Sequence, residues 1–232
     1  MEITESIHTG GEVVKYLILT LGIFGIFELG LRGYAAWRYP QSSDDYHRII
    51  CVGDSVVYGA GSTNKAKSFP SVLSNLMGEP VLNAGALSAT SDDALIAVKE
   101  LVRLKPEIII VHVGYNDHKF SPKSEYVSIL RRSYLFRFLA KPFDGRKMNL
   151  EDWKENAIDI HMECWRQGIK VYFLTISANP TTDRVDRMNQ ILMAFDFIPI
   201  TLEPKHFSNQ IHLNDSGYQE MARQVYKQIN ER

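Results

Sequence analysis

The chain has 232 residues, 45% of them hydrophobic, and a formal net charge of -1. That is enough apolar material for one sizeable core, and the length suits one domain with additions better than two complete domains. The near-neutral balance disfavours a nucleic-acid partner, and Arg131-Arg132, with no basic stripe interleaved with aromatics, reads as a solvated helix face. Cys51 and Cys164 fall inside an expected strand and an expected helix, as buried free thiols that do not report the redox compartment.

The first informative segment is Leu17 to Phe27, LILTLGIFGIF, an apolar run that LGLRGYAAW extends past Glu28 and Arg32. Crossing a bilayer takes roughly 20 residues, so residues 16–37 suffice if those two charges pair at helical spacing near one interface. Tyr34, Trp37 and Tyr39 would supply an aromatic belt. The expectation is a membrane-anchor helix within an N-terminal region 1–40, with a buried or interfacial helix as the alternative. A cleaved signal peptide fits less well, because Lys15 is the only base before the run and no Ala-x-Ala follows it. Charge alone, heavier after the run (Arg32, Arg38), would place the rest of the chain inside.

From Arg48 onward, β-rich runs alternate with helical ones. Strands are expected at 48–52, 80–83, 107–113, 169–176 and 197–202. Thr90 with Asp93 has the spacing of a capping box, and 151–167 reads as a helix ending at Gly168. The last segment spaces Tyr218, Met221, Ala222, Val225, Tyr226 and Ile229 along one helix face. Near-continuous apolar strands such as EIIIVHV suit a parallel sheet covered on both sides. The fold class expected is therefore α/β, a three-layer sandwich around a mostly parallel five-stranded sheet, with ligands at the carboxyl ends of the strands.

Those strand ends carry chemistry. Ser55 follows the first strand in CVGDSVVYGAG, Gly85 the second in VLNAG, and Gly114 and Asn116 the third in VHVGYND, while His212 lies in the loop before the last helix. A hydroxyl, a base to take its proton and preorganised donors for an oxyanion are what acyl transfer requires. The glycines of the first loop meet neither nucleotide fingerprint, since the Walker lysine and Gly-x-Gly-x-x-Gly are both missing. A flavin site in that loop is conceivable and leaves Asn116 and His212 without a reason to converge.

The set Gly53-Asp54-Ser55, Gly85, Gly114-x-Asn116-Asp117 and His212 resembles the SGNH (GDSL) hydrolases, with the blocks in the same order over residues 48–232. The resemblance implies a flavodoxin-like hydrolase domain over 46–232 and a cofactor-independent serine esterase. Ser55 would be nucleophile and His212 general base, with the N–H groups of Ser55 and Gly85 and the Asn116 amide as oxyanion donors. Tyr115 and His118 flank the Asn116 loop as candidate substrate contacts, for an acylated small molecule or a carbohydrate. The anchor and the helical RRSYLFRFL, 131–139, look like membrane-tethered bacterial members of the family, which would put the domain outside the cytoplasm.

One position departs from that family. Asn209 stands where the triad acid is normally found, three residues before the histidine. In a serine protease triad the equivalent amide costs about 10^4 in turnover through the wrong tautomer. Asn209 then marks a weakly supported Ser-His dyad, a membrane-tethered binding module that has lost catalysis, or an introduced substitution. Asp215 is expected at the N-terminus of the last helix, with Asn214 or itself as the cap. Asp54 and Asp117 are expected to hold turn N–H groups, His112 to be a satisfied core residue, and His206 with His212 not to form a zinc site.

Overall fold

Alternate residues of strand β1, Ile49–Gly53, enter different cores: Ile50 and Val52 pack on one side of the sheet, Ile49 and Cys51 on the other. This is the two-residue period of a strand buried on both faces, and it makes the architecture three-layered. The computed structural model describes residues 47–118 and 149–231, with the backbone alone of His118. It also describes Tyr16, Thr20, Gly22, Ile23, Gly25, Ile26, Leu29 and Gly30. Residues 44–121 and 147–232 belong to one unit, and the fold below is that unit's.

After β1 come helix α1, Ser55–Tyr58, helix α2, Phe69–Met77, and strand β2, Val81–Gly85. Helix α3, Ser91–Leu101, strand β3, Ile108–His112, and a 3-10 turn, Tyr115–His118, follow. Helix α4, Leu150–Arg166, strand β4, Lys170–Leu174, helix α5, Asp183–Leu192, strand β5, Phe197–Ile198, and helix α6, Asp215–Asn230, complete the unit. The strands are parallel in the order β2-β1-β3-β4-β5, which is the flavodoxin-like order expected. One layer sets Ala94, Val98, Trp153, Ile160 and Met188 against the sheet, the other Phe69, Leu73, Tyr218, Met221 and Val225.

Helix ends follow local chemistry. The Asp93 carboxylate accepts from the Thr90 N–H at 3.0 Å, as the capping box predicts. Helix α4 starts at Leu150 because Asn149 and Asp152 cap each other, the Asp152 N–H donating to Asn149 Oδ1 at 2.8 Å. Strand β3 loses one residue at each end of its expected range, while β4 and β5 stop short of their expected carboxyl ends, and side-chain amides explain these last two. Beyond Leu174, Asn189 takes over the ladder, accepting from the Ile176 N–H at 2.7 Å and donating to its carbonyl at 2.9 Å. Beyond Ile198 comes Pro199, which has no N–H, and Gln224 of α6 then brackets Thr201 at 2.8 and 2.9 Å.

Of the expected anchor segment 16–37, the described residues are helical and exposed, among them Ile23, Ile26 and Leu29. Among the described residues no helix is long and apolar enough to cross a membrane. Glu28, Arg32, Tyr34, Trp37, Tyr39 and the 131–139 segment lie outside the described residues.

Candidate active site

The turn after β1 is built by backbone crowding. A Cβ on Gly53 would stand 2.0 Å from the His112 carbonyl oxygen, so only glycine lets β1 and β3 run side by side to their last residue. Asp54, 1% exposed, then caps the four-residue α1, its Oδ1 accepting from the Val56 N–H at 2.9 Å. Asp54 therefore holds a turn N–H, as the sequence predicts. Ser55 becomes the first residue of that helix, where the N–H has no intrahelical acceptor. His112 is buried at the end of β3 with Nδ1 3.6 Å from Asp54 Oδ1. That nitrogen has no hydrogen-bond partner among the described residues, so His112 is a core residue but not a satisfied one.

His212 comes from the loop before α6. Its Nε2 lies 3.0 Å from Ser55 Oγ, across 157 residues of chain. The loop is shaped by the Ser208 N–H donating to the His212 carbonyl at 2.8 Å and by an isolated bridge between Phe207 and Leu213. Gly61, from the loop after α1, lies against the histidine. A Cβ there would meet Leu213 O and Ser208 Oγ at 2.5 Å and His212 Cβ at 3.2 Å. Tyr218, buried in α6, ties the same loop down by donating from its hydroxyl to Ala60 O at 2.7 Å, and burial pushes its phenol well above the ordinary range.

At the position of the triad acid, Asn209 Nδ2 lies 3.0 Å from His212 Nδ1. Asp215, the nearest carboxylate along the chain, is engaged by Thr63 instead. Its exposed carboxylate accepts from the Thr63 N–H at 2.9 Å and the Thr63 hydroxyl at 2.7 Å, contacts that hold its pKa below the usual range. Asn214 is the cap of α6, accepting from the Gly217 N–H at 3.0 Å. His206 Nδ1 accepts from the Glu203 N–H at 3.1 Å, and among the described residues no cluster of His, Cys, Asp and Glu could hold a metal ion.

The expected oxyanion donors are differently placed. Asn116 is 3% exposed, and its amide donates to Ala89 O at 3.1 Å, which ties the turn after β3 to the loop after β2. Gly85 is the last residue of β2, and its N–H donates to Asn83 Oδ1 at 2.9 Å. A Cβ on Gly85 would lie 2.2 Å from the Tyr58 nitrogen, so this glycine permits α1 to press against β2. Tyr115 is half-buried and packs against the core, while the side chain of His118 is outside the described residues.

Four contributors were not legible as such. Asn83 engages the Gly85 N–H, Gly61 backs the histidine, and Ser91 with Asn156 surrounds Asp117. Asp117, fully buried, accepts from the Ser91 N–H at 3.1 Å and from its hydroxyl, while Asn156 donates to the Ser91 hydroxyl at 2.8 Å. Desolvation pushes the Asp117 carboxyl up to about 7 against those hydrogen bonds. Ser88, in the loop Asn116 anchors, has a φ of 60°, a left-handed conformation uncommon outside glycine. Only its neighbourhood of small residues, GALSATS, hinted at an irregular turn.

A serine and a histidine at hydrogen-bond distance, on the carboxyl edge of a parallel sheet, have the form of a serine-hydrolase site on an α/β fold. The sequence profile of the GDSL-like lipase/acylhydrolase family matches residues 51–220, and the chain belongs to that family. Solved structures repeat the fold. A GDSL-like lipase from Bacteroides thetaiotaomicron has a TM-score of 0.60 at 14% identity, covering 86% of this chain and 97% of its own. The esterase EstA from Pseudoalteromonas, in a form inhibited by monoethylphosphonate, has a TM-score of 0.57 at 14% identity, covering 79% and 96%. A variant of Axe2, an acetyl-xylooligosaccharide esterase from Geobacillus, has a TM-score of 0.57 at 17% identity, covering 78% and 93%. Among curated proteins none matches by sequence.

Proposed function

We propose that this member of the family is a serine ester hydrolase for small or moderate acyl groups, acting through an acyl-enzyme on Ser55. The observation that carries the reading is the 3.0 Å separation of His212 Nε2 and Ser55 Oγ. Ser55 Oγ attacks the ester carbonyl while its proton passes to His212. Collapse expels the alcohol with that proton, and a water activated by His212 then releases the acid. The oxyanion is met by the Ser55 N–H and by the Asn116 side-chain amide, which also donates to Ala89 O. The Gly85 N–H joins them only by exchanging Asn83 Oδ1 for the oxyanion. Tyr115 and His118 are assigned to the substrate side of the Asn116 turn.

The substrate class is an acyl ester of a small molecule or a carbohydrate, with transfer to a sugar hydroxyl as the near variant. Support comes from the family and from the structural likeness to Axe2, an acetyl-xylooligosaccharide esterase. The segment 16–37 tethers the domain to a membrane, a reading supported by the apolar run and the exposed Ile23, Ile26 and Leu29. The catalytic unit then lies outside the cytoplasm, which the likeness to membrane-tethered members of the family supports against the charge balance around the run. A fluorophosphonate probe tests the chemistry. The purified full chain should be labelled and should hydrolyse short aryl esters, and Ser55→Ala should do neither. Labelling that persists in Ser55→Ala, or no turnover on any aryl ester, counts against it.

A further inference from the structure

The side chain of Asn209 touches the back of the His212 ring and two peptide N–H groups at once. Its Oδ1 accepts from the N–H of Ile211 at 3.0 Å and from the N–H of His212 at 2.9 Å, while Nδ2 lies 3.0 Å from His212 Nδ1. The two peptide donors decide which end of the amide is oxygen. Turned end for end, the NH2 group would face two N–H groups, donors against donors. With the oxygen so placed, Nδ2 donates and Nδ1 must accept. The neutral ring then carries its proton on Nε2, and that N–H donates to Ser55 Oγ across 3.0 Å.

We propose that Asn209 is a positioning residue that holds His212 in the Nε2–H tautomer, so that the resting Ser55 is a hydrogen-bond acceptor and is not activated. This rests on the hydrolase reading of the Ser55-His212 pair and deepens it. Attack breaks the Ser55 O–H bond as Oγ bonds to the carbonyl carbon, and the proton needs an unprotonated lone pair on Nε2 to take it up. In the resting tautomer that lone pair already holds a proton. The productive form, with the proton moved to Nδ1, sets Nδ1–H against the Asn209 NH2 group. The imidazolium formed during attack carries both protons and meets the same opposition. Asn209 and its amide are exposed, so solvent exchanges the ring protons and the productive form stays reachable. The dyad is attenuated and not extinguished.

A carboxylate at 209 would keep one oxygen on the Ile211 and His212 N–H groups and offer the other to Nδ1–H, reversing the preference by changing one atom. The test uses the full chain with 15N-labelled histidine, at a pH where the ring is neutral. The expected spectrum shows His212 protonated at Nε2 in the wild type and at Nδ1 in Asn209→Asp. On a short aryl ester, Asn209→Asp should raise kcat by about 10^2 to 10^4 with KM within a few-fold, the upper figure being the loss seen for the reverse change in a protease triad. A wild-type ring protonated at Nδ1 overturns the proposal, and so does a folded, labelled Asn209→Asp with unchanged kcat. If that variant does not fold, the wild-type spectrum decides. Absence of fluorophosphonate labelling in both proteins overturns the hydrolase reading and the attenuating role with it, whereas the spectrum reports the tautomer alone.

Discussion

His212 and Ser55 meet with Nε2 and Oγ 3.0 Å apart, while the opposite face of the imidazole meets an amide where its family usually has an acid. The two contacts act on one proton, so substitutions at the two positions must couple. General acid–base catalysis by a positioned side chain contributes about 10^2 to 10^4. With the productive tautomer in the minority, His212→Ala should lower kcat by about 10^2, the low end of that range. In an Asn209→Asp background the same change should cost more, by the factor that Asn209→Asp gained. A double-mutant cycle on kcat measures this, and strict additivity would separate the two residues.

Asn116 has a structural duty as well as its assigned chemical one. Loss of an oxyanion donor costs about 10^2 to 10^3 in kcat. The Ala89 carbonyl it satisfies is in a buried stretch, so Asn116→Ala also leaves an acceptor unpaired, at about 1–3 kcal/mol. The sequence alone predicts the first effect with folding intact, whereas the structure predicts both. Urea unfolding beside steady-state kinetics should show kcat down by at least 10^2, KM little changed and the midpoint lowered. An unchanged kcat would remove Asn116 from the chemistry.

Much of this was legible because strands and turns are written locally. EIIIVHV, short, β-branched and continuously apolar, reads as a strand buried on both faces, and Gly53-Asp54-Ser55 carries its own cap and its own close approach. What was not legible depends on partners far along the chain or on the direction of one hydrogen bond. Gly85 reads as a donor until Asn83 is seen holding its N–H. Asn209 reads as a missing charge, and its oxygen is placed only by the peptide N–H groups of Ile211 and His212. The sheet edge at β5 reads as six residues until Pro199 and Gln224 replace the ladder with side-chain bonds.

Gly61 gives a way to disturb the histidine without touching the dyad. It has a φ of 95°, and an added Cβ would press on Leu213 O, Ser208 Oγ and the Cβ of His212. Gly61→Ala should displace the histidine loop from Ser55 by a few tenths of an ångström or more. Misplacement on the scale of 1 Å costs about 10^2 in rate. The expected result is a kcat loss approaching that figure, with a stability loss of about 1–3 kcal/mol from the strained backbone and overpacking. Wild-type kcat in a folded Gly61→Ala protein would show that this loop does not position His212.

Asp117 makes stability depend on pH in a direction opposite to that of a paired surface carboxylate. Its carboxyl is raised to about 7 by burial in the folded protein, whereas in the unfolded chain it titrates near its ordinary value of 3.8. Between those values the folded state holds a proton that the unfolded state has released. Stability from this group is therefore fully present below about pH 4 and is lost as pH rises towards 7. A shift of about three units corresponds to about 4 kcal/mol as an upper bound. Asp117→Asn keeps an oxygen to accept from the Ser91 N–H and hydroxyl and removes the ionisation. Urea midpoints at pH 4.5 and 7.5 should fall further in the wild type than in Asp117→Asn, with the other carboxylates common to both. Parallel pH dependences in the two proteins would place the Asp117 pKa in the ordinary carboxylate range.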